Sequence, residues 1–140
     1  MRLLASIVLA MSLMGCSVRM VPISEATPVP QEDIFAAELL TPDASRTEKV
    51  TLVRDEHWSG SANSFRLFLE GRKVAEIDVG EKLELYLAKD KTYFGHLEAV
   101  LFTDSLPTTE FELKASETMP NNYRLSIVGD TITINRSALL

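Results

Sequence analysis

The densest run of chemically capable side chains in this sequence is Arg54-Asp55-Glu56-His57-Trp58-Ser59-Gly60-Ser61. It holds the only tryptophan and one of two histidines, the other being His96. Three kinds of chemistry are open to it. A zinc site wants three or four ligands at short spacing. Asp55, Glu56 and His57 are adjacent, but successive residues of an extended chain face opposite sides, so the three do not converge easily. A serine hydrolase assembles on paper from Ser59 or Ser61 with His96 and Asp55. Neither serine sits in a nucleophile elbow, and a domain of this size rarely shapes an oxyanion hole as well. The third chemistry is recognition. Loops on a rigid scaffold carry binding residues, and Trp58 offers a face for a sugar ring or an anchor for a partner pocket. His57 and Trp58 are therefore the candidate partner contacts. The alternative is that Trp58 caps one end of the fold while its charged neighbours are solvated. No catalytic residue, metal site or Gly-rich phosphate loop is expected. In a second loop, residues 102–110, Asp104 and Ser105 read first as turn formers.

The elements that position this loop read as strands. From Glu48 onward the hydrophobic period is two. Val50, Leu52 and Arg54 alternate with Thr51 and Val53, and Phe65, Leu67 and Leu69 alternate with Arg66, Phe68 and Glu70. Glu70-Gly71-Arg72 is a tight turn in which Gly71 supplies a positive φ. Val74 to Val79 forms the next strand, Gly80-Glu81 turns the chain, and Leu83, Leu85 and Leu87 mark another strand. A turn at Ala88–Lys91 leads to a strand from Thr92 to Leu97. Thr109–Lys114, Tyr123–Val128 and Thr131–Asn135 complete the set, with Gly129-Asp130 as the last turn. About seven to eight short strands at roughly ten-residue spacing predict a mainly β fold, an antiparallel β-sandwich over residues 48–137. Parallel pairing needs long crossovers, and these loops are short. Residues 31–47 read as a short helical or irregular segment, with Pro30 at a first turn and Glu32 and Asp33 near its N-terminus. Residues 16–30 carry Pro22, Pro28 and Pro30 and read as a flexible, extended tether.

The chain has one cysteine, Cys16, at the end of an apolar run from Leu3 to Met14 that follows Arg2. The run suits a secretory leader and is too short to span a bilayer. Leu13-Met14-Gly15-Cys16 resembles the bacterial lipobox. The resemblance implies a signal peptide over residues 1–15 cleaved between Gly15 and Cys16, a diacylglycerol on Cys16 Sγ, and an N-acyl chain on the new amine. Two or more acyl chains suffice for stable anchoring. No other cofactor is expected. In Gram-negative lipoproteins an aspartate after the cysteine retains the protein at the inner membrane. Ser17 stands there instead, which implies the inner leaflet of the outer membrane, facing the periplasm.

The order VTLVRD, eight residues, then SFRLFLEGRKVAEIDVGEKLELYL resembles a group of small bacterial lipoproteins of uncharacterised function. Their domains look similar to PEGA-type and transthyretin-like β-sandwiches. The likeness covers residues 48–97 and extends more faintly through FELKASETMPNNYRLSIVGDTITI. Glu70-Gly71 stands where that group has Asp-Gly, and Lys89-Asp90 where it has Pro-Pro-Gly. The group carries no agreed catalytic residues, so the resemblance implies scaffold rather than chemistry.

Charge narrows the partners. The formal net charge is −6, and cleavage before Cys16 removes one more positive charge with Arg2. Such a domain is repelled by nucleic acid and by anionic head groups, so no nucleic-acid partner is expected. The expected partners are the membrane, through the lipid, and an envelope protein. Together these features predict a non-catalytic binding or structural module of the cell envelope. The alternative is a periplasmic inhibitor of a cell-wall hydrolase. Known lipoprotein inhibitors of lysozyme carry a disulfide and a Ser-Gly-x-x-Tyr-like loop, against which this chain offers only Ser59-Gly60-Ser61-Ala62.

Overall fold

The computed structural model describes residues 19–56, 63–100, 108–128 and 131–138. Two sheets face each other. The five-stranded sheet runs β1 (Thr27–Pro28), β5 (Glu81–Leu87), β2 (Glu48–Arg54), β8 (Asn122–Val128), β9 (Thr131–Ser137). The four-stranded sheet runs β4 (Arg72–Ile77), β3 (Ser64–Leu69), β6 (Thr92–Val100), β7 (Thr108–Lys114). The inward rows predicted from the alternation are the core: Phe65, Leu67 and Leu69 from β3, Leu83, Leu85 and Leu87 from β5, and Val50 and Leu52 from β2 are all buried. Each such side chain contributes about 1.5–3 kcal/mol by leaving water. The β3–β4 hairpin closes on Glu70 and Gly71 at φ 51° and 74°, the pair of positive angles that a two-residue type I′ turn demands.

Most pairings are antiparallel, as the short loops predict. Two are not: β1 lies parallel to β5, and β2 parallel to β8. The second has a clear cause. After β2 the chain crosses to build β3 and β4, returns as β5 on one side of β2, crosses again for β6 and β7, and returns as β8 on the other side. The connection between the parallel neighbours is thus five strands rather than one loop, and the short-loop argument does not reach it.

One expectation is corrected. Residues 19–30 are extended but are not a free tether. Val21, Ala26 and Val29 are buried, Arg19 and Glu56 exchange backbone hydrogen bonds of 2.9 and 3.0 Å, and β1 adds itself to β5. The segment is a strap along the five-stranded sheet. Residues 31–47 contain two separate single 3-10 turns, Gln31–Asp33 and Ala37–Leu40. Between them Phe35 and Ala36 donate their N–H groups to the Val74 carbonyl, and Ile34 bridges Ala75, so this segment covers the outer edge of β4. Covering the edge leaves no open ladder there for another strand. Among the described residues no helix is long and apolar enough to cross a membrane.

Candidate functional site

His57, Trp58, Ser59 and Ser61 lie outside the described residues, as do Gly15, Cys16 and Ser17. The start of that polar run is described, and it is structural. Arg54 is buried, facing inward from β2. Its guanidinium lies 3.9 Å from the centre of the Phe65 ring and its Nη1 donates to the Ile77 carbonyl at 2.8 Å. Burial pushes its pKa down to about 10, opposed by the carboxylates of Asp78 and Glu81, so it stays charged at neutral pH. The charged neighbours of the loop are thus not all solvated.

Asp55 and Arg124 form a buried ion pair on the other face of the same sheet. Asp55 is 4% exposed and Arg124 is 8% exposed. Arg124 Nη1 donates to Asp55 Oδ1 at 2.6 Å, and Ser126 Oγ donates to Oδ2 at 3.1 Å. Both partners also hold the strap. The Val21 N–H donates to Asp55 Oδ1 at 3.0 Å, and Arg124 Nη1 donates to the Val21 carbonyl at 2.8 Å. One strap residue is therefore gripped at both its donor and its acceptor. The parallel β2–β8 register makes the grip, because pairing Val53 with Arg124 and Arg54 with Leu125 puts Asp55 beside Ser126.

His96 is elsewhere. It sits on β6 in the opposite sheet, stacked on Phe68 with ring centres 4.3 Å apart and planes 9° from parallel. Among the described residues Asp55 is hydrogen-bonded by Val21, Arg124 and Ser126 and His96 lies in the other sheet, so the structure separates the two residues that a Ser/His/Asp arrangement would need together. Among the described residues no three His, Cys, Asp or Glu side chains gather as metal ligands.

The outer face of the four-stranded sheet carries the feature that sequence reasoning missed. Cross-strand register lines up Lys73, Phe68, His96 and Glu110 on that face. Phe94, two residues before His96 on β6, shares it and is 61% exposed. Phe35 is also exposed and carries the Lys73 ammonium 3.7 Å from its ring centre. Beside Phe94 lies an open concavity of about 400 Å³, lined by Glu70, Gly71, Phe94, Gly95, His96, Glu110 and Phe111. Gly95 makes room beneath it. A Cβ there would meet the Phe111 ring at 2.6 Å and the Phe68 carbonyl oxygen at 2.6 Å. Glu70 closes the rim, accepting the Phe94 N–H on Oε1 at 2.8 Å while its own N–H donates to the Phe94 carbonyl at 2.7 Å.

The charges on this face are uneven. Arg66 and Lys73 both spend themselves on Glu76, at 2.8 and 2.7 Å. These bonds hold the Glu76 carboxyl below its ordinary pKa, that from Lys73 most strongly. Glu98 lies 3.5 Å from His96 Nε2. Glu70, Glu110 and Glu112 have no lysine or arginine partner among the described residues. The signal in the sequence was Tyr93-Phe94-Gly95-His96. A strand that is aromatic on both faces, with a glycine between, has one face too apolar for simple solvation. No protein-family model, curated protein or solved structure matches this chain.

Proposed function

We propose that this protein is a membrane-anchored bacterial lipoprotein acting as a non-catalytic binding or structural module in the cell envelope, with its acyl chains on Cys16 and its domain facing the periplasm from the outer membrane. The observation that carries the binding role is the exposed Phe94 beside a concavity of about 400 Å³ on the outer face of the four-stranded sheet. A large aromatic left exposed next to a concave surface marks an interaction site more often than an isolated exposed residue does. Among the described residues the buried charged groups, Arg54, Asp55 and Arg124, are engaged in holding the fold together. The leader pattern ending in Leu13-Met14-Gly15-Cys16 supports the anchor.

Two measurements test the two halves of this reading. Cells fed labelled palmitate should label the wild-type chain and not Cys16→Ser, and the variant should leave the membrane fraction. A photo-crosslinking residue at position 94 in living cells should give a discrete crosslinked protein that one at Lys49, on the other sheet, does not. Labelling equal in both chains refutes the anchor. Crosslinks absent at 94, or identical at both positions, refute the binding face.

A further inference from the structure

We propose that the concavity beside Phe94 receives an arginine or lysine side chain from an extended, basic segment of the protein partner. This inference rests on the binding reading above and names its chemistry. Two independent features of the site point the same way. An exposed aromatic face attracts a cation through its ring quadrupole. Phe35 already does this on the same sheet face, with Lys73 3.7 Å from its ring centre, while Phe94 has no such cation among the described residues. Two carboxylates, Glu70 and Glu110, are among the residues lining the concavity, and a third, Glu112, faces Phe94 across the β6–β7 pair. Glu70 stands at the hairpin turn and Glu110 opposite His96 in the same register.

Several acids elsewhere on the surface are paired, while Glu32, Asp33, Glu48, Asp78, Glu81 and Asp90 have no lysine or arginine partner among the described residues. Glu84 is bonded to Lys49 at 2.8 Å, Glu25 to Arg19 at 3.2 Å, and Glu38 to Arg72. What sets Glu70 and Glu110 apart is their place in a concavity beside an exposed aromatic ring, where an incoming cation meets ring and carboxylates at once. An apolar partner surface would leave these acids desolvated and unpaired. An anionic lipid surface or a nucleic acid would be repelled. A cationic side chain satisfies ring and rim together. The segment bearing it is extended because the concavity opens on a pleated sheet face, beside the hairpin turn of Glu70-Gly71.

The probe is the capped peptide Gly-Arg-Gly-Arg-Gly, titrated into the isotope-labelled full chain in detergent and followed by NMR. Its counterpart has citrulline for arginine, which keeps the shape and removes the charge. The expected result is a set of shift changes confined to residues 70–71, 94–96 and 110–112, saturating in the millimolar range. The citrulline peptide should bind at least about fivefold more weakly. Raising ionic strength from 20 to 500 mM should weaken the arginine peptide by a similar factor, since it shortens the screening length to a few ångströms. Phe94→Ala and Glu110→Gln alter exposed side chains, so both variants remain folded and should each lose the saturable change. Equal binding of the two peptides, shifts scattered over the surface, or unchanged binding by both variants overturns the proposal. The in-cell crosslink at position 94 separates the two levels. A crosslink onto an acidic or apolar segment overturns the inference and leaves the binding face standing, whereas no crosslink removes the face itself.

Discussion

Removing Asp55 should loosen the strap and the domain together, and the two effects can be told apart. In Asp55→Ala the Arg124 guanidinium, 8% exposed, loses the carboxylate at 2.6 Å, and the Val21 N–H loses its acceptor at 3.0 Å. Removing one partner of a buried pair leaves an uncompensated charge and costs about 3–5 kcal/mol. For a domain of this size, that corresponds to a fall in Tm of roughly 10–20 °C. The double variant Asp55→Leu with Arg124→Met removes both charges and should recover part of the loss, because replacing a whole buried pair by apolar groups is often neutral or better. It cannot recover everything, since the Val21 N–H and C=O stay without the partners they have now, at about 1–3 kcal/mol for buried unsatisfied groups. Urea unfolding gives the stabilities, and amide exchange at Val21 reads the strap directly. Exchange at Val21 should accelerate in both the single and the double variant, while amides in β3 and β6 follow only the global loss. Two outcomes refute the reasoning. One is a single-variant loss under about 1 kcal/mol, which would mean that the pair is solvated. The other is unchanged protection at Val21, which would mean that the strap is held by β1 alone.

The other expectations are narrower. Gly95→Ala should cost about 1–3 kcal/mol in urea unfolding, because the added methyl meets the Phe111 ring and the Phe68 carbonyl oxygen, both at 2.6 Å. Trimming Phe111 to Leu should relieve only part of this, since the Phe68 carbonyl is backbone. Gly71→Ala meets no neighbouring atom within 4 Å, so its cost is that of φ 74° alone, about 1–2 kcal/mol. Relief of the Gly71→Ala loss by Phe111→Leu, or no relief of the Gly95→Ala loss, would contradict the assignment of one to strain and the other to crowding. The pH dependence of stability should contain two opposite contributions. Burial, the largest cause, raises the Glu81 pKa, so the folded state holds that proton more tightly than the unfolded state. Its contribution is present below the ordinary carboxylate pKa and is lost as pH rises through the raised value, so Glu81→Gln should remove a decline on that alkaline side. The hydrogen bond from Lys73, then that from Arg66, lowers the Glu76 pKa, so its contribution is present above the ordinary value and disappears as pH falls through the lowered one. Glu76→Gln should therefore cost a few tenths of a kcal/mol at neutral pH and nothing in strong acid. Stability–pH curves with the two signs exchanged would refute both assignments.

Strand identity was legible because burial follows the pleat. Phe65, Leu67 and Leu69 are buried while Arg66 and Phe68 are not, and Leu83, Leu85 and Leu87 repeat the pattern. Pairing was less legible, because a period of two says which face a residue takes and not which strand lies beside it. The β2–β8 neighbours are separated by five strands in sequence, so nothing local announces them. The strap was misread for a related reason. Pro22, Pro28 and Pro30 correctly forbid helix, but extended chain is compatible both with a free tether and with a docked strand. The deciding signal lay in β2. Val50 and Leu52 fill one face, and Val53 is equally buried on the other, packed with Val21 and Ala26. A strand apolar on both faces needs a cover on both. The concavity at Phe94 was out of reach for another reason. Its rim joins a turn at Glu70 to strand positions 94 and 110, and only the register of β3, β6 and β7 brings them together.

The grip on Val21 also bears on how a lipid on Cys16 would present the domain. Between Cys16 and Arg19, where the strap's backbone bonds to Glu56 begin, there are three peptide units, which span at most about 11 Å fully extended. A tether running to Pro30 would span about five times that and let the domain turn freely. With the strap docked, an acylated Cys16 holds the domain close to the bilayer surface, at the end where β2 finishes. The buried pair Asp55–Arg124 then does more than stabilise the fold. In a chain anchored through Cys16 it would set the joint between anchor and domain, and releasing it would lengthen the leash as well as destabilise the domain. In a chain anchored through Cys16, Asp55→Ala should therefore lengthen the reach of the Phe94 face from the membrane by the length of the freed strap. Fluorescence transfer from a dye at position 94 to acceptor-labelled lipid reads this distance. Equal transfer in wild type and variant would show that the joint is set elsewhere, and a weaker signal in the variant would tie the buried pair to the placement of the binding face.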